Sequence, residues 1–474
     1  MDDHSYSQCE DPDGVSKRRG LGSRTGYALG AALLLVLCWY GTPCGAAGEK
    51  QVLGLQELIR RAVSVSPEIA QRRSEMAAAR SDLAQARAAY LPQLETLMVA
   101  GPINNTRRPE VAGKRIIDPS ADLSVGAFGR LDVTLVQPIY TFGKLSNSRE
   151  AAEKGVAASR ARQNQTGNEI ALRVKELYYA LILSRTGIEA AREADEYFDE
   201  ARKRISRLLD SGATNVMESD LYRVDAYRAD IVRFQAEAQK GKNVAYFGLK
   251  SMIGMPDDAD FDTADKSLSF QGGTLDKPAP YIQKALAQRP ELRALEEGIA
   301  ARKSLAEAAR SDLYPTFFAA GAGSAAGAPG RQTLHNPYIY DDFNHLIGGF
   351  VAGMKWHFDF GLTRARIEKA HAEYNTLVQT RAVAHLGIPI QVAKHFEEAR
   401  QWRVSIDAYR SAASASRKWI VSAMSSFDMG TGTADDLLRG IERYGQNHGK
   451  YLEALFNYNL SLAQLDYDTG ASDW

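Results

Sequence analysis

Ser66 to Leu94 reads SPEIAQRRSEMAAARSDLAQARAAYLPQL, and 223 residues later Arg289 to Phe317 reads RPELRALEEGIAARKSLAEAARSDLYPTF. The two align without a gap, Pro67 on Pro290 and Pro92 on Pro315. Two further motifs recur at an offset of 218: Tyr140-Thr-Phe-Gly143 as Phe358-Asp-Phe-Gly361, and Gly212-Ala-Thr-Asn-Val-Met-Glu218 as Gly430-Thr-Gly-Thr-Ala-Asp-Asp436. The shorter offset removes five residues from the segment between Pro315 and Phe358. The chain is therefore one structural unit written twice, and a fold read without that duplication would be misread.

Each copy of the repeat carries a strand pair followed by a long helical hairpin. From Leu123 to Leu135 the odd positions are apolar or small, and the even ones include Ser124, Arg130, Asp132 and Thr134. That alternation is the period of a strand with one apolar face. Its partner runs from Gln93 to about Ile103, across a polar loop from Asn104 to Ala121. The second repeat predicts strands at Thr316–Ser324 and Leu346–Phe358, the latter apolar at even positions. Under the 218 offset this parity is inverted, so either a β-bulge shifts the register or one strand faces the other way.

No proline interrupts 139–255, and Ile170, Val174, Leu177, Leu181, Ser184, Ile188, Ala191, Asp195, Phe198, Arg202, Ile205 and Leu209 step by four and three. Nine of these twelve are apolar, which is the seam of a coiled coil. A single helix from Leu145 to Asp210 would be about 100 Å long. Its counterpart, Leu362 to Asp428, contains Pro389, which predicts a kink.

Of 474 residues, 45% are hydrophobic and 24% charged, the composition of a folded chain. Zero net charge over the full chain gives no electrostatic footprint for nucleic acid. All three cysteines (Cys9, Cys38 and Cys44) precede residue 47, inside a segment that passes from Lys17-Arg18-Arg19 through an apolar run, Tyr27–Tyr40, to small residues. Basic, apolar, small is a secretory signal peptide, ending after Ala46 or Ala47. The expected organisation is a signal at 1–46, a first repeat at 47–255, an acidic linker at 256–276 and a second repeat at 277–474. Beyond the signal no apolar run approaches 18 residues, so any membrane crossing is by strands. Four strands cannot close a barrel, and hydrocarbon tolerates no open sheet edge. Three copies sharing twelve strands, an even number, satisfy both conditions.

In the order of these motifs, strand ending in Gln137-Pro-Ile-Tyr-Thr-Phe-Gly143 and glycine turn between long helices, twice over, the chain resembles the TolC family of outer-membrane efflux proteins from about Leu55 to Gly470. The resemblance implies an α+β fold: a trimeric 12-strand transmembrane β-barrel continuous with a long periplasmic α-helical coiled-coil barrel. It implies residence in the outer membrane of a Gram-negative bacterium. It also implies work as the exit duct of a tripartite efflux or type I secretion system, with a periplasmic adaptor and an inner-membrane pump of the RND or ABC type. By the same resemblance the tips around Gly212, Asn215, Gly430 and Thr433 contact the adaptor. Asp436, with Glu218 as its first-repeat counterpart, matches an acidic ring at the entrance.

From the residues alone, Gly212 and Gly430 reverse the chain, while Asn215 and Thr433 are placed to cap the returning helices. Arg439 is spaced to pair with Asp436 on one helical face. Where the family carries tyrosine, arginine and a second acid, this chain has Phe427, Gly432 and Arg439. Phe128, Tyr140, Trp356 and Phe358 are read as membrane-interface anchors.

No cofactor or metal is called for. Asp258-Ala-Asp260-Phe-Asp262 begins like a calcium loop, but Thr263 and Ser269 stand where that loop needs glycine and glutamate. No nucleophile, base and orienting group fall together, so an enzyme is not expected. The rival reading is a periplasmic coiled-coil scaffold or adaptor with soluble strands and no pore.

Overall fold

A computed structural model of the chain describes residues 51–105, 124–270, 275, 277–471 and 474. The signal segment and its cleavage point, Leu123, and most of the loop after Asn104 lie outside the described residues.

The matched prolines have matched roles. Pro67 and Pro290 are the first residues of α2 (Pro67–Ala88) and α6 (Pro290–Arg310), where a missing N–H costs nothing. Shorter helices, α1 (Leu55–Val65) and α5 (Ala279–Gln288), precede them. Pro92 and Pro315 then stand immediately before β2 (Gln93–Asn104) and β5 (Thr316–Gly327). β3 (Val125–Tyr140) and β6 (His345–Lys355) complete the two hairpins. Next come α3 (Lys144–Asp210) and α7 (Leu362–Asp428), each 67 residues, and the returning helices α4 (Glu218–Met252) and α8 (Ala434–Asp468), each 35. The long helices span about 100 Å and the returning ones about 50 Å. Pro389 lies inside α7, with helix continuing on both sides of it.

Strand turns to helix through the repeated Phe-Gly pair. Phe142 and Phe360 both have φ of 50°, and Gly143 and Gly361 follow at 92° and 143°. Two consecutive residues of positive φ make a sharp reversal, and glycine takes the position that directly precedes each long helix.

The four long strands form one antiparallel sheet in the order β2-β3-β5-β6. Cross-strand rows fix its faces: Leu94, Leu135, Gly321 and Phe350 form one row, and Met98, Leu131, Ala325 and Leu346 another on the same side. All the large members of both rows are exposed. Phe350 lies over Gly321, where a Cβ would stand 2.8 Å from the ring. The opposite face carries Arg130, Asp132, Ser324 and His345. There the Ser324 hydroxyl donates to Asp132 at 2.6 Å and meets His345 Nε2 at 2.8 Å, and Arg130 pairs with Asp132 at 2.8 Å.

The inverted parity is explained by a bulge, one of the two expected possibilities. Gln93 pairs with Val136 and Thr316 with Lys355, so the hairpins superimpose β3 on β6 at an odd offset that puts both apolar rows on one face. Between Pro138 and Tyr140 the β3–β5 register slips by one residue, and beyond it the even offset of the Phe-Gly motifs resumes. Phe128 is a correction. It sits on the face of Arg130 and Asp132, away from the exposed apolar rows, and packs edge-on against Phe343 at 5.7 Å.

Within the linker, a three-residue strand β4 (Phe261–Thr263) pairs in parallel with β1 (Gln51–Leu53). Tyr246 stacks on buried Phe261 at 4.8 Å, which ties the linker to α4. The would-be calcium carboxylates are engaged elsewhere: Asp262 pairs with Arg185 at 2.7 Å, and Asp260 accepts from the Tyr246 hydroxyl at 2.8 Å.

The seam predicted for α3 faces inward, with Ile170, Val174, Leu181, Ala191, Phe198 and Ile205 buried. Its polar positions are matched to α4: Asp195 takes Arg228 at 2.8 Å and Arg202 takes Asp225 at 3.2 Å. Ser184 faces Gly241, where a Cβ would approach its hydroxyl to 2.7 Å. A buried ionic knot joins the start of the second repeat to its end: Asp468 on α8 accepts from Arg289 at 2.8 Å and Gln391 at 2.9 Å and meets His395 Nδ1 at 2.5 Å.

Candidate functional site

The two helical hairpins end side by side, and their tips are built alike. At the end of α3, Ser211 is followed by Gly212 at φ 72°, with Gly212 N–H donating to Leu209 O and Ala213 N–H to Leu208 O, both at 3.0 Å. At the end of α7, Gly430 has φ 74°, with Gly430 N–H donating to Phe427 O and Thr431 N–H to Ser426 O, again at 3.0 Å. Each is a Schellman closure, which needs a left-handed residue at that position. Nothing lies within 4 Å of a Cβ built on either glycine, so both tips stand open to solvent, beside exposed Met217 and Met429.

Capping splits the tip predictions. Thr433 caps α8 as expected, its hydroxyl accepting from Asp436 N–H at 3.3 Å. Asn215 does not cap α4. That helix begins three residues later, and Asp220 accepts from Met217 N–H at 3.0 Å in a reciprocal cap. Asn215 instead reaches the other hairpin, donating to Gly432 O at 3.4 Å.

The predicted acidic positions are exposed at the helix starts. Glu218 accepts from Tyr222 OH at 3.0 Å, and Asp436 from Trp419 Nε1 at 3.1 Å. Arg439 does not pair with Asp436. It pairs one residue back with Asp435 at 2.9 Å, at the i,i+4 spacing. Asp435 is the tip's electrostatic hub, because Arg223 of α4 also reaches it at 2.8 Å. A second bridge between hairpins joins Arg204 of α3 to Asp428 of α7, and the carboxylate beside it raises the Arg204 pKa.

Phe427, read as a tyrosine without its hydroxyl, is fully buried among Phe198, Val216, Leu437 and Ile441. Gly432, read as a lost arginine, has a positive reason to be glycine: a Cβ there would sit 2.8 Å from Phe427 N and 2.9 Å from the Ser426 carbonyl carbon.

About five turns before its C-terminal end, α3 supplies a node that sequence reasoning missed. Glu193 accepts from Tyr444 OH at 3.0 Å and lies 3.7 Å from Arg417 and 3.9 Å from His448. Burial pushes the Tyr444 phenol up to about 12, and Glu193 adds to it. Burial also lowers the His448 pKa, an effect that Glu193 opposes. Only Tyr444 and His448, four residues apart on α8, offered a sequence signal, and nothing in it named Glu193. Among the described residues no group of histidines, cysteines or carboxylates could hold a metal ion, and no helix is long and apolar enough to cross a membrane.

Similarity to known proteins follows the same architecture. The alkaline protease secretion protein AprF of Pseudomonas aeruginosa is 23% identical over 348 residues, covering 72% of this chain and 69% of AprF. The outer-membrane channel OprN superimposes with a TM-score of 0.73 at 18% identity, covering 88% of this chain and 89% of that one. The outer membrane protein VceC of Vibrio cholerae does so at 0.70 and 15%, covering 88% and 96%. The open state of the MtrE outer membrane channel of Neisseria gonorrhoeae gives 0.70 and 17%, covering 88% and 89%. The family model for outer membrane efflux proteins matches residues 58–247 and 281–470, one match on each repeat. With strand hairpins, long helices and glycine tips all duplicated within those limits, the chain belongs to the outer membrane efflux protein family.

Proposed function

We propose that three copies of this chain assemble into one exit duct, with a twelve-stranded barrel in the outer membrane and a helical tube in the periplasm. One observation carries the reading. Among the described residues the sheet has four strands, its terminal strands β2 and β6 are each paired on one side only, and its exposed apolar face bears Leu94, Met98, Leu131, Leu135, Leu346 and Phe350. Such a sheet is stable in lipid only when other copies complete the cylinder. The soluble-scaffold alternative predicts no such band.

In this arrangement Arg130, Asp132, Ser324 and His345 face the water-filled lumen. The parts are a first repeat at 47–255, a linker at 256–276 and a second repeat at 277–474, behind a signal at 1–46. The duct conducts passively and carries out no chemistry of its own. An inner-membrane pump of the RND or ABC type loads it through a periplasmic adaptor, which grips the tips at Gly212, Asn215, Gly430 and Thr433. The exposed methionines there, Met217 and Met429, suit an adaptable protein contact. Asp436 and Glu218, repeated by three-fold symmetry, ring the entrance, while Arg439, held by Asp435, tempers their negative charge.

The test is native mass and conductance of the detergent-extracted protein. A trimer that conducts in planar bilayers is expected, with reduced cation preference in Asp436→Ala. A water-soluble monomer overturns the duct, and unchanged selectivity overturns the ring.

A further inference from the structure

We propose that Trp419 is the positioning residue of the entrance ring: its indole N–H holds the Asp436 carboxylate out toward α7 with its charge uncancelled, and without it the carboxylate would fold back onto its own helix start. The proposal deepens the duct reading above and rests on Asp436 ringing the entrance.

Asp436 has three kinds of partner within reach. The first is Arg439, one turn along α8 and spaced for an ion pair. It is drawn away to Asp435 at 2.9 Å, and so is Arg223 of α4 at 2.8 Å. Asp435 thus collects these two cations, and Asp436 takes a neutral donor instead.

The second is its own helix cap. α8 begins at Ala434 behind the N-cap Thr433, so Asp436 is the third residue of the helix, from which an acidic side chain can reach back to the N-cap N–H. The first repeat uses that option: Asp220, third in α4, is buried and accepts from Met217 N–H at 3.0 Å. In the second repeat the Thr433 hydroxyl accepts from Asp436 N–H at 3.3 Å, but the Asp436 carboxylate points to the neighbouring helix.

The third is the one it takes. Trp419 of α7 donates its Nε1–H to Asp436 Oδ1 at 3.1 Å. An indole offers a single rigid donor and carries no charge, so it sets the direction of the carboxylate without cancelling it. A guanidinium would set the direction and neutralise the charge as well. Three such carboxylates about an axis attract cations in proportion to the charge they keep.

The pair lies at the surface, not in the core. Asp436 is exposed and the Trp419 ring is 38% exposed, while Ile420, the next residue of α7, is buried. An indole so placed is in contact with both the ring acid and the water through which ions arrive.

The first repeat reaches the same arrangement with different residues. Glu218, matched to Asp436 at an offset of 218, accepts from the Tyr222 hydroxyl at 3.0 Å, again from an exposed aromatic donor without charge. That bond raises the Tyr222 pKa above its ordinary value, so the phenol keeps its proton in neutral water. Arg223, its neighbour in sequence, goes to Asp435. Both acids of the ring therefore have an aromatic donor for a partner, although the tryptophan comes from the adjacent helix and the tyrosine from the same one.

Reversal potentials of single channels across a salt gradient in planar bilayers test the role. Trp419→Phe keeps an aromatic ring and deletes the donor. It should remove at least about half of the cation preference that Asp436→Ala removes, and nothing further once Asp436→Ala is present. Hydrogen exchange gives an independent reading. In Trp419→Phe the Thr433 amide should slow, because the released carboxylate folds back to it as Asp220 does to Met217, whereas a merely loosened hairpin quickens every tip amide. The positioning role is overturned if Trp419→Phe leaves selectivity unchanged while Asp436→Ala lowers it, if it lowers selectivity equally in the Asp436→Ala background, or if the Thr433 amide quickens with its neighbours. Unchanged selectivity in Asp436→Ala itself overturns the ring on which the role rests.

Discussion

Replacing Asp435 by alanine should loosen the tips without unfolding the chain, and its size follows from the geometry. Asp435 holds Arg223 at 2.8 Å and Arg439 at 2.9 Å, with side chains 40–65% exposed. Exposed pairs of this kind are worth about 0.2–1 kcal/mol each. Asp435 also lies in the first turn of α8, where a carboxylate gains about 0.3–1 kcal/mol from the helix dipole. Together the loss is about 1–2 kcal/mol, roughly a five- to thirty-fold rise in local opening. Of the two contacts of Asp435, the one to Arg223 crosses between the hairpins, so a double-mutant cycle of Asp435→Ala with Arg223→Ala isolates that latch, at about 0.5 kcal/mol. Hydrogen exchange of amides in 204–224 and 428–440 reads the opening, and bilayer conductance shows whether it reaches the entrance. In 1 M salt the coupling should largely vanish. Zero coupling at low salt, or a coupling indifferent to salt, refutes the latch.

Other expectations follow from buried or crowded groups. Arg289→Ala strips the fully buried Asp468 of its guanidinium and should cost about 3–5 kcal/mol; an unchanged thermal midpoint would show that His395 and Gln391 suffice. Gly432→Ala forces a Cβ against backbone at 2.8 Å and should cost about 1–3 kcal/mol. Gly430→Ala strains only φ, at about 1–2 kcal/mol, and exchange at the tip amides compares the two. Because burial lowers the His448 pKa, the folded state resists its protonation. Its stability contribution is complete above about pH 6.5 and falls as pH drops below that value. Thermal midpoints at pH 7.5 and 5 should therefore converge in His448→Gln, and an unaltered pH dependence would refute this.

The duplicated prolines and glycines were legible because each performs a local backbone task. Pro67 and Pro290 open helices, and Gly212 and Gly430 close them by left-handed turns, whatever packs around them. The parity conflict was legible as well, though it left a bulge and a wrong facing equally open until the slip between Pro138 and Tyr140 decided for the bulge. What stayed hidden depended on distant partners. Asp435 is unremarkable until Arg223, 212 residues away, arrives beside it, and Glu193 lies off the apolar seam with its partners on α7 and α8. Asn215 was misjudged because its motif permits two helix starts, and Asp220 decides for the later one. β4 is three residues long, too short to show a period.

The unbroken run of α3 from the equatorial core near Tyr178 to the tip at Asp210 makes it a lever. Over that distance, about 50 Å, a pivot of roughly 5° at the equator carries the tip about 4 Å. A displacement of that size parts Arg223 from Asp435 altogether. Small repacking around Tyr178, Tyr458 and Phe261 is thereby converted into full travel at the hairpin tip, and any pull on the tip returns as torque on those three rings.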